Sequence, residues 1–228
     1  MEPLPVEKQT TQNMRAMFEV IAPRYDFITR VFSYGMDRAW KQEAVRQAGL
    51  GESARVLDLA CGTGDFSRLA AAQGATSVAA DLTAGMLHRA ADLPLRACCD
   101  AHALPFVDAC FDAVLIGYGV RNFKQLPVAL AEIRRVLKPG GMLVTLDFFQ
   151  PANAVWREIF LNWLYVQGAV WGLLLHGKPS IYTYIPRSLR SFLSQEKYSD
   201  LLRASGFRPS RLRRFLGGGI CIHWNRRQ

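Results

Sequence analysis

The chain has 228 residues, 50% of them hydrophobic and 11% aromatic, which is enough for one α/β domain with a complete core and short for two. This composition excludes general disorder, and no internal repeat or low-complexity tract is present. The formal charge of +9 is uneven, with arginines gathered between Arg187 and Arg227, and it suits nucleic acid, an anionic membrane surface or a merely solvated basic face.

In chain order, Met14, Met17, Phe18 and Ile21 recur at helical spacing and predict an amphipathic helix that Pro23 ends. A second helix is expected from about Asp37 to Ala48. Between them lie the polar residues Arg24, Tyr25 and Asp26, in a surrounding rich in Phe27, Ile28, Val31 and Phe32. Residues 1–50 would lid the open end of a sheet, although simple packing on the domain fits the pattern equally well. From residue 55 to 147, short apolar runs alternate with helical stretches, the signature of an α/β, mostly parallel sheet with helices on both faces. Strands are placed near 55–60, 76–81, 95–99, 111–117 and 141–147, and helices near 65–73, 84–91 and 126–137. Lys138-Pro139-Gly140-Gly141 stops the last helix and turns the chain into the next strand. This core spans 51–150.

The stretch Ala154 to His176 is almost continuously apolar and about as long as a bilayer span. Arg157 and Glu158 at its start, and Gly168 and Gly172 within it, favour a buried or interfacial helix instead. An apolar insertion over 151–190, next to an open pocket, suits a greasy substrate. Tyr182 to Ser188 reads as a loop of aromatics and polar tips. In the last part, 191–228, a helix is expected at about 194–205, then strands near 209–216 and 219–224 forming an antiparallel hairpin at the sheet edge.

The most informative run is Val56 to Asp65, where an apolar strand meets a turn made of Gly62, Thr63 and Gly64. Glycines there permit a tight turn and close approach of a ligand, while the following helix start favours an anionic group. A dinucleotide site would need a third glycine at position 67, where Ser67 stands. Asp58, inside the strand, suits the ammonium of an amino-acid cofactor and would repel a pyrophosphate. Asp81, closing the next apolar run, can accept ribose hydroxyls. Gly62 to Gly64, Asp81, Asp100 and Gly117 all fall at carboxyl ends of strands, so one pocket can collect them. The run from Asp58 to Gly64 resembles the first motif of the Rossmann-like class I S-adenosylmethionine-dependent methyltransferases.

Five cysteines at 61, 98, 99, 110 and 221 show neither C-x-x-C spacing nor an even secreted framework, and Met1 to Thr10 form no apolar signal segment. Reduced thiols in the cytoplasm are expected. The four histidines have no metal-ligand spacing.

Further stretches resemble one family, the ubiquinone/menaquinone biosynthesis C-methyltransferases, over about residues 12–217. They are Phe18 to Asp26 with Ser33-Tyr34-Gly35 and Trp40-Lys41, the cofactor run Val56 to Asp65, Asp100 to Phe106, and Tyr184 to Ser188. The most specific is Gly117-Tyr118-Gly119-Val120-Arg121-Asn122-Phe123. Thr29, Asp37 and His102 depart from the family pattern, which usually has Asn, often has His and commonly has Glu at the respective positions. The resemblance implies transfer of a methyl group from S-adenosylmethionine, without a metal, to a ring carbon of a polyprenylated quinol: demethylmenaquinol or a 2-polyprenyl-6-methoxy-1,4-benzoquinol. It implies cofactor contacts at Thr63, Asp81, Asp100, Ala101 and Gly117.

A ring carbon becomes strongly nucleophilic when the adjacent hydroxyl loses its proton, so the acceptor is expected to be the reduced quinol. Arg121 is the first candidate to stabilise phenolate charge; a guanidinium is a poor base. Tyr25, Asp26, or a water held by Arg121 and Asn122 are candidates for the base. A nucleic-acid methyltransferase would share the cofactor fold. The chain lacks the Pro-Cys and Asn/Asp-Pro-Pro-aromatic motifs of base methylation, so no nucleic-acid partner is expected. The remaining alternative is another lipophilic acceptor. The basic surface and the apolar helix predict peripheral docking on the inner face of an anionic membrane, and a homodimer is left open.

Overall fold

The structure, a computed structural model, describes residues 11–228; Met1 to Thr10, read above as carrying no signal segment, lie outside the described residues. Five parallel strands form the centre of the sheet: β1 (Arg55–Leu59), β2 (Thr76–Asp81), β3 (Arg96–Cys98), β4 (Phe111–Gly117) and β5 (Leu137–Phe148). The C-terminal pair, β6 (Phe207–Phe215) and β7 (Ile220–Arg227), completes it in the order β3-β2-β1-β4-β5-β7-β6. β7 is antiparallel to both β5 and β6. The expected edge hairpin is therefore present, with β6 outermost. The exposed arginines of β6 suit an unpaired edge, and two of them are spent locally, Arg211 on Gln47 and Arg213 on Glu43.

Alternation along the strands divides the core into two layers. Val56, Ala113, Leu115, Val144 and Leu146 face one cluster, while Leu57, Leu59, Val114, Ile116 and Leu143 face the other. The second layer is covered by α6 (Leu126–Val136) and α9 (Gln195–Ala204). The first is covered by α3 (Asp37–Arg46) and α4 (Asp65–Ala71), and by the paired α7 (Ala154–His176) and α8 (Ser180–Ser191). Buried Trp224 fastens this layer by donating its indole N–H to Ala44 O at 2.9 Å. A short helix α5 (Ala84–Arg89) follows β2.

Three segments differ from the sequence expectation. Lys138 to Gly141, read as a turn ahead of the strand, lie within β5, which already pairs with β4 at Leu137 and carries an irregularity before Met142. Tyr182 to Ser188 is not a loop but the middle of α8, with Pro186 inside the helix. A proline costs a helix one hydrogen bond, and packing offsets the loss here. Gly168 and Gly172 let α8 come so close that an added Cβ would lie 2.9 Å from the Tyr182 carbonyl oxygen and 2.7 Å from Lys178 O. Likewise, Arg24-Tyr25-Asp26 is not a plain link between two helices. After α1 (Thr11–Ile21), a 3₁₀ turn at Ala22–Arg24 leads into a further helix, α2 (Tyr25–Phe32), with Ile28 and Phe32 buried. α7 is long and apolar enough by composition to cross a membrane. It nevertheless buries Phe160, Leu161, Leu164, Gly168 and Gly172 along one face and leaves much of the rest exposed.

Candidate active site

The glycine turn follows β1. Ala60, Gly62 and Gly64 have left-handed backbones, with φ of 55°, 56° and 89°, and α4 starts at Asp65. At Gly64 the left-handed backbone favours glycine, and an added Cβ would also press on the Leu93 side chain at 2.5 Å. The turn is held from the neighbouring strand by Asp81. Its Oδ2 accepts from Gly62 N at 2.9 Å, and its Oδ1 accepts from Thr83 N at 2.9 Å and Thr83 Oγ1 at 2.6 Å. Burial raises the Asp81 carboxyl above its ordinary pKa, against the pull of those donors.

Asp58 holds the turn from below. Its Oδ2 accepts both the backbone N–H and the hydroxyl of Ser67 at 2.8 Å, so Ser67 stitches α4 to β1. Burial pushes the Asp58 carboxyl up to about 7. Asp58 does not line the cavities described next, which differs from the expected direct meeting with a cofactor ammonium. Its site is a shaping position beneath the turn. Thr63 is also turned aside, donating its hydroxyl to Asp26 Oδ1 at 2.6 Å.

Two small cavities lie over the strand ends. One, of about 80 Å³, is bounded by Gly62, Asp81, Thr83, Gly117, Tyr118 and Asn122. The other, of about 60 Å³, adds Asp100, Ala101 and His102 to Asp81 and Asn122. The structure therefore brings Gly62, Asp81, Asp100, Ala101, Gly117 and Asn122 together around one continuous space. His102 accepts from Gln125 N through Nε2 at 3.2 Å, which leaves Nδ1 to donate to Asp100. Met14 and Phe18 of α1 fill the front of this space. Both cavities are well below the ~300–1,000 Å³ of an ordinary small-molecule site, and Met14 of α1 is on the wall of each. The group set fits an adenosyl amino acid: a glycine turn with no side chain to block a ligand, a carboxylate at the second strand end, and an acid with a backbone N–H after the third.

Behind the turn lies a third cavity, of about 40 Å³, lined by Tyr25, Phe32, Tyr118, Arg121, Phe148 and Tyr184 among others. It shares Phe18, Tyr25 and Tyr118 with the cofactor-side space. Arg121 supplies the cation. Its side chain is almost fully buried and paired with the fully buried Asp147, and its guanidinium carbon lies 5.1 Å from the centre of the Phe148 ring. Nε of Arg121 has no partner among the described residues, which leaves one donor for a ligand. Burial raises the Tyr184 and Tyr25 hydroxyls above their ordinary pKa, opposed in both cases by Arg121. Arg121 and Asn122 also open onto a groove of about 540 Å³ with Leu126, Phe192 and Leu201 on its walls.

Tyr25 thus joins Arg121, whereas Asp26 does not. It is exposed, on a separate solvent-open cavity of about 310 Å³. Three contributors were not singled out from sequence. Tyr118 stood only inside a motif, and Tyr184 only inside an expected loop. Asp147 carried a readable signal, a lone acid in the apolar run Leu143 to Phe149, since a buried carboxylate requires a partner.

The family model described as the ubiE/COQ5 methyltransferase family matches residues 6–227. A demethylmenaquinone methyltransferase of Deinococcus radiodurans is 40% identical over 224 residues, covering 93% of this chain and 91% of that protein. A ubiquinone/menaquinone biosynthesis C-methyltransferase UbiE of Syntrophotalea carbinolica is 38% identical, covering 93% of each. Among solved structures, a Thermotoga maritima S-adenosylmethionine-dependent methyltransferase superposes with a TM-score of 0.66 at 20% identity, over 93% of this chain and 99% of that one.

Proposed function

The chain belongs to the ubiE/COQ5 methyltransferase family, and from that premise we propose that it methylates a ring carbon of a polyprenylated quinol, demethylmenaquinol or its benzoquinol counterpart. It is an S-adenosylmethionine-dependent methyltransferase, and the bound cofactor supplies an electrophilic methyl group. The observation that carries the quinol reading is the aromatic cavity that meets the cofactor side at Tyr25 and Tyr118 and contains the buried cation Arg121.

In this reading the Gly62–Gly64 turn takes the amino-acid end of the cofactor, Asp81 its ribose, and Asp100 with Ala101 its base, while Gly117 borders the methyl. The quinol ring is held among Tyr25, Tyr118 and Tyr184, with its hydroxyl toward Arg121. Arg121 stabilises the phenolate by charge and hydrogen bonding, which makes the neighbouring carbon nucleophilic. Asn122, on the wall of both the cofactor space and the large groove, orients the two reactants. The aromatic walls exclude water and hold ring carbon, methyl and sulfur in line. The described part of the N-terminal segment, residues 11–50, serves as the lid that admits and then covers both.

The same reading places the protein in the cytoplasm, docked on the inner face of an anionic membrane. Ile159, Trp163, Val166, Val170 and Leu174 of α7 are exposed, and Phe27 of α2 stacks edge-on against Trp171 of α7 at 5.3 Å. Exposed Arg24, which donates to the Leu175 carbonyl of α7, and exposed Lys178, just past the end of α7, add positive charge to this surface. A second copy covering α7 is the competing arrangement, and it would register as a dimer by light scattering.

The test is product formation from short-tailed demethylmenaquinol and benzoquinol, alongside cofactor binding by calorimetry. Methylation of either identifies the head group. Cofactor binding with neither product would move the assignment to another lipophilic acceptor.

A further inference from the structure

The methyl acceptor must lose a ring proton, and the groups around Arg121 are poorly suited to take it. Guanidinium does not deprotonate, and Asp147 is neutralised by Arg121. Asp26 faces a different cavity with one oxygen on Thr63.

Another pair is placed for it. The Tyr118 hydroxyl is buried and has no hydrogen-bond partner among the described residues, and the same is true of Asp37 Oδ1. Lys41 Nζ, 2.8 Å from Asp37 Oδ2, lies 5.7 Å from the centre of the Tyr118 ring, which sets the Asp37 carboxylate on the Tyr118 side of the site; after burial, Asp37 is the main influence that raises the Tyr118 hydroxyl's pKa. The other Asp37 oxygen, Oδ2, is 2.8 Å from Lys41 Nζ, which is itself 2.8 Å from Asp65 Oδ2. Tyr118 borders both the cofactor space and the ring cavity, whereas Arg121 borders only the ring cavity of these two. The reacting carbon must sit at that boundary and its hydroxyl further in, so Tyr118 stands by the carbon. The backbone is arranged for this: Tyr118 has φ of 58°, a strained value for a non-glycine, and its N–H is tied to Leu146 O at 2.7 Å. On the far side, Asp37 and Asp65 both line the solvent-open cavity of about 310 Å³.

We propose that Asp37, acting through the Tyr118 hydroxyl, receives the proton released from the methylated ring carbon and passes it to water in the cavity lined by Asp37 and Asp65. This rests on the quinol reading above. The ring carbon forms its bond to the methyl group as the methyl–sulfur bond breaks, with that electron pair going to sulfur. The C–H bond at the same carbon then breaks, and its electron pair restores the aromatic ring. The proton goes to Tyr118 Oη while the Tyr118 O–H proton moves to Asp37 Oδ1, and from Asp37 it leaves to water. Lys41 and Asp65 hold Asp37 in place. Burial by itself lowers the Lys41 pKa, but Asp37 and Asp65 outweigh it and keep the ammonium charged.

The test uses Asp37→Asn and Tyr118→Phe with a demethylmenaquinol analogue carrying deuterium at the methylated carbon. Asp37→Asn removes the acceptor, while Tyr118→Phe leaves the Lys41 pairs intact. Both are expected to lower kcat about a hundredfold with KM for S-adenosylmethionine unchanged. Both should develop a ring-deuterium isotope effect that the unaltered protein lacks, and Asp37→Glu should restore part of the rate. A rate loss without that isotope effect would mean a structural role and overturn the relay, as would unchanged kcat in both variants. If the unaltered protein methylates neither quinol, the functional reading fails and the relay with it. Calorimetric cofactor binding confirms that each variant is folded.

Discussion

Arg121 and Asp147 form an ion pair almost wholly removed from water, with the arginine side chain 2% exposed and the carboxylate 0%. The pair joins the turn after β4 to the end of β5. Removing one partner from such a pair strands the other charge in a low-dielectric interior. Asp147→Ala is expected to destabilise the protein by about 3–5 kcal/mol, and the double change Arg121→Met with Asp147→Leu by less than that single change. Urea unfolding of both checks this; equal losses would show that the stranded charge is not the cause.

Arg121→Lys keeps the charge but loses the planar fork and the free Nε donor. The expected result is a fall in kcat by about 10²–10³, as for loss of one transition-state donor, with unchanged affinity for the cofactor. Steady-state kinetics with calorimetry separates the two. Weakened cofactor binding at full kcat would place Arg121 on the wrong side of the site.

Gly168 brings α7 against the backbone of α8. Gly168→Ala places a methyl group 2.9 Å from backbone atoms of Tyr182, which cannot rotate away. Forced separation of the two helices should cost about 1–3 kcal/mol and lower Tm by about 2–10 °C. An unchanged Tm would mean that the helices are less tightly apposed.

His223 is buried against Phe149 and Tyr198, with ring centroids 5.1 Å away in each case, and neither ring nitrogen has a partner among the described residues. Burial, with Arg214 assisting, lowers its pKa from 6.5 to about 3. Between those values the unfolded chain takes up a proton that the folded chain refuses, so stability falls as pH falls from about 6.5 toward 3. His223→Leu removes that loss. Thermal unfolding against pH should therefore show the variant gaining on the parent protein below pH 6.5 and a constant difference above it; parallel curves across the window would contradict a buried neutral imidazole.

Trp163→Glu and Leu174→Glu place charge on the exposed apolar face of α7 without touching the core. The unaltered protein should pellet with anionic vesicles at low salt, less so at high salt, and both variants should stay in the supernatant. No pelleting of the unaltered protein at low salt would dismiss the docking surface.

Strong periodicity made the sheet legible: every central strand and the cofactor turn could be placed from apolar runs and Gly62-Thr63-Gly64 alone. Prolines obscured two helices. Pro23 and the polar triplet after it concealed α2, and Pro186 concealed α8, because local propensity says nothing of the packing by Gly168 and Gly172 that holds a proline-bearing helix in place. At the site, Asp81, Asp100 and Gly117 followed from their positions at strand ends. The pairing of Asp58 Oδ2 with Ser67 was not legible, because strand position does not reveal which donors a carboxylate will meet. Tyr118 was hidden for a similar reason, since its orientation comes from a left-handed backbone that no residue type announces.

The central claim, C-methylation of a reduced ring, is tested most directly by labelled methyl transfer from S-adenosylmethionine to demethylmenaquinol and to its benzoquinol counterpart, each with and without a reductant. The account predicts label on a ring carbon of one or both, only when the reductant keeps the acceptor as quinol. Label on oxygen, equal labelling of the oxidised quinone, or no labelling by a protein that still binds the cofactor would contradict it.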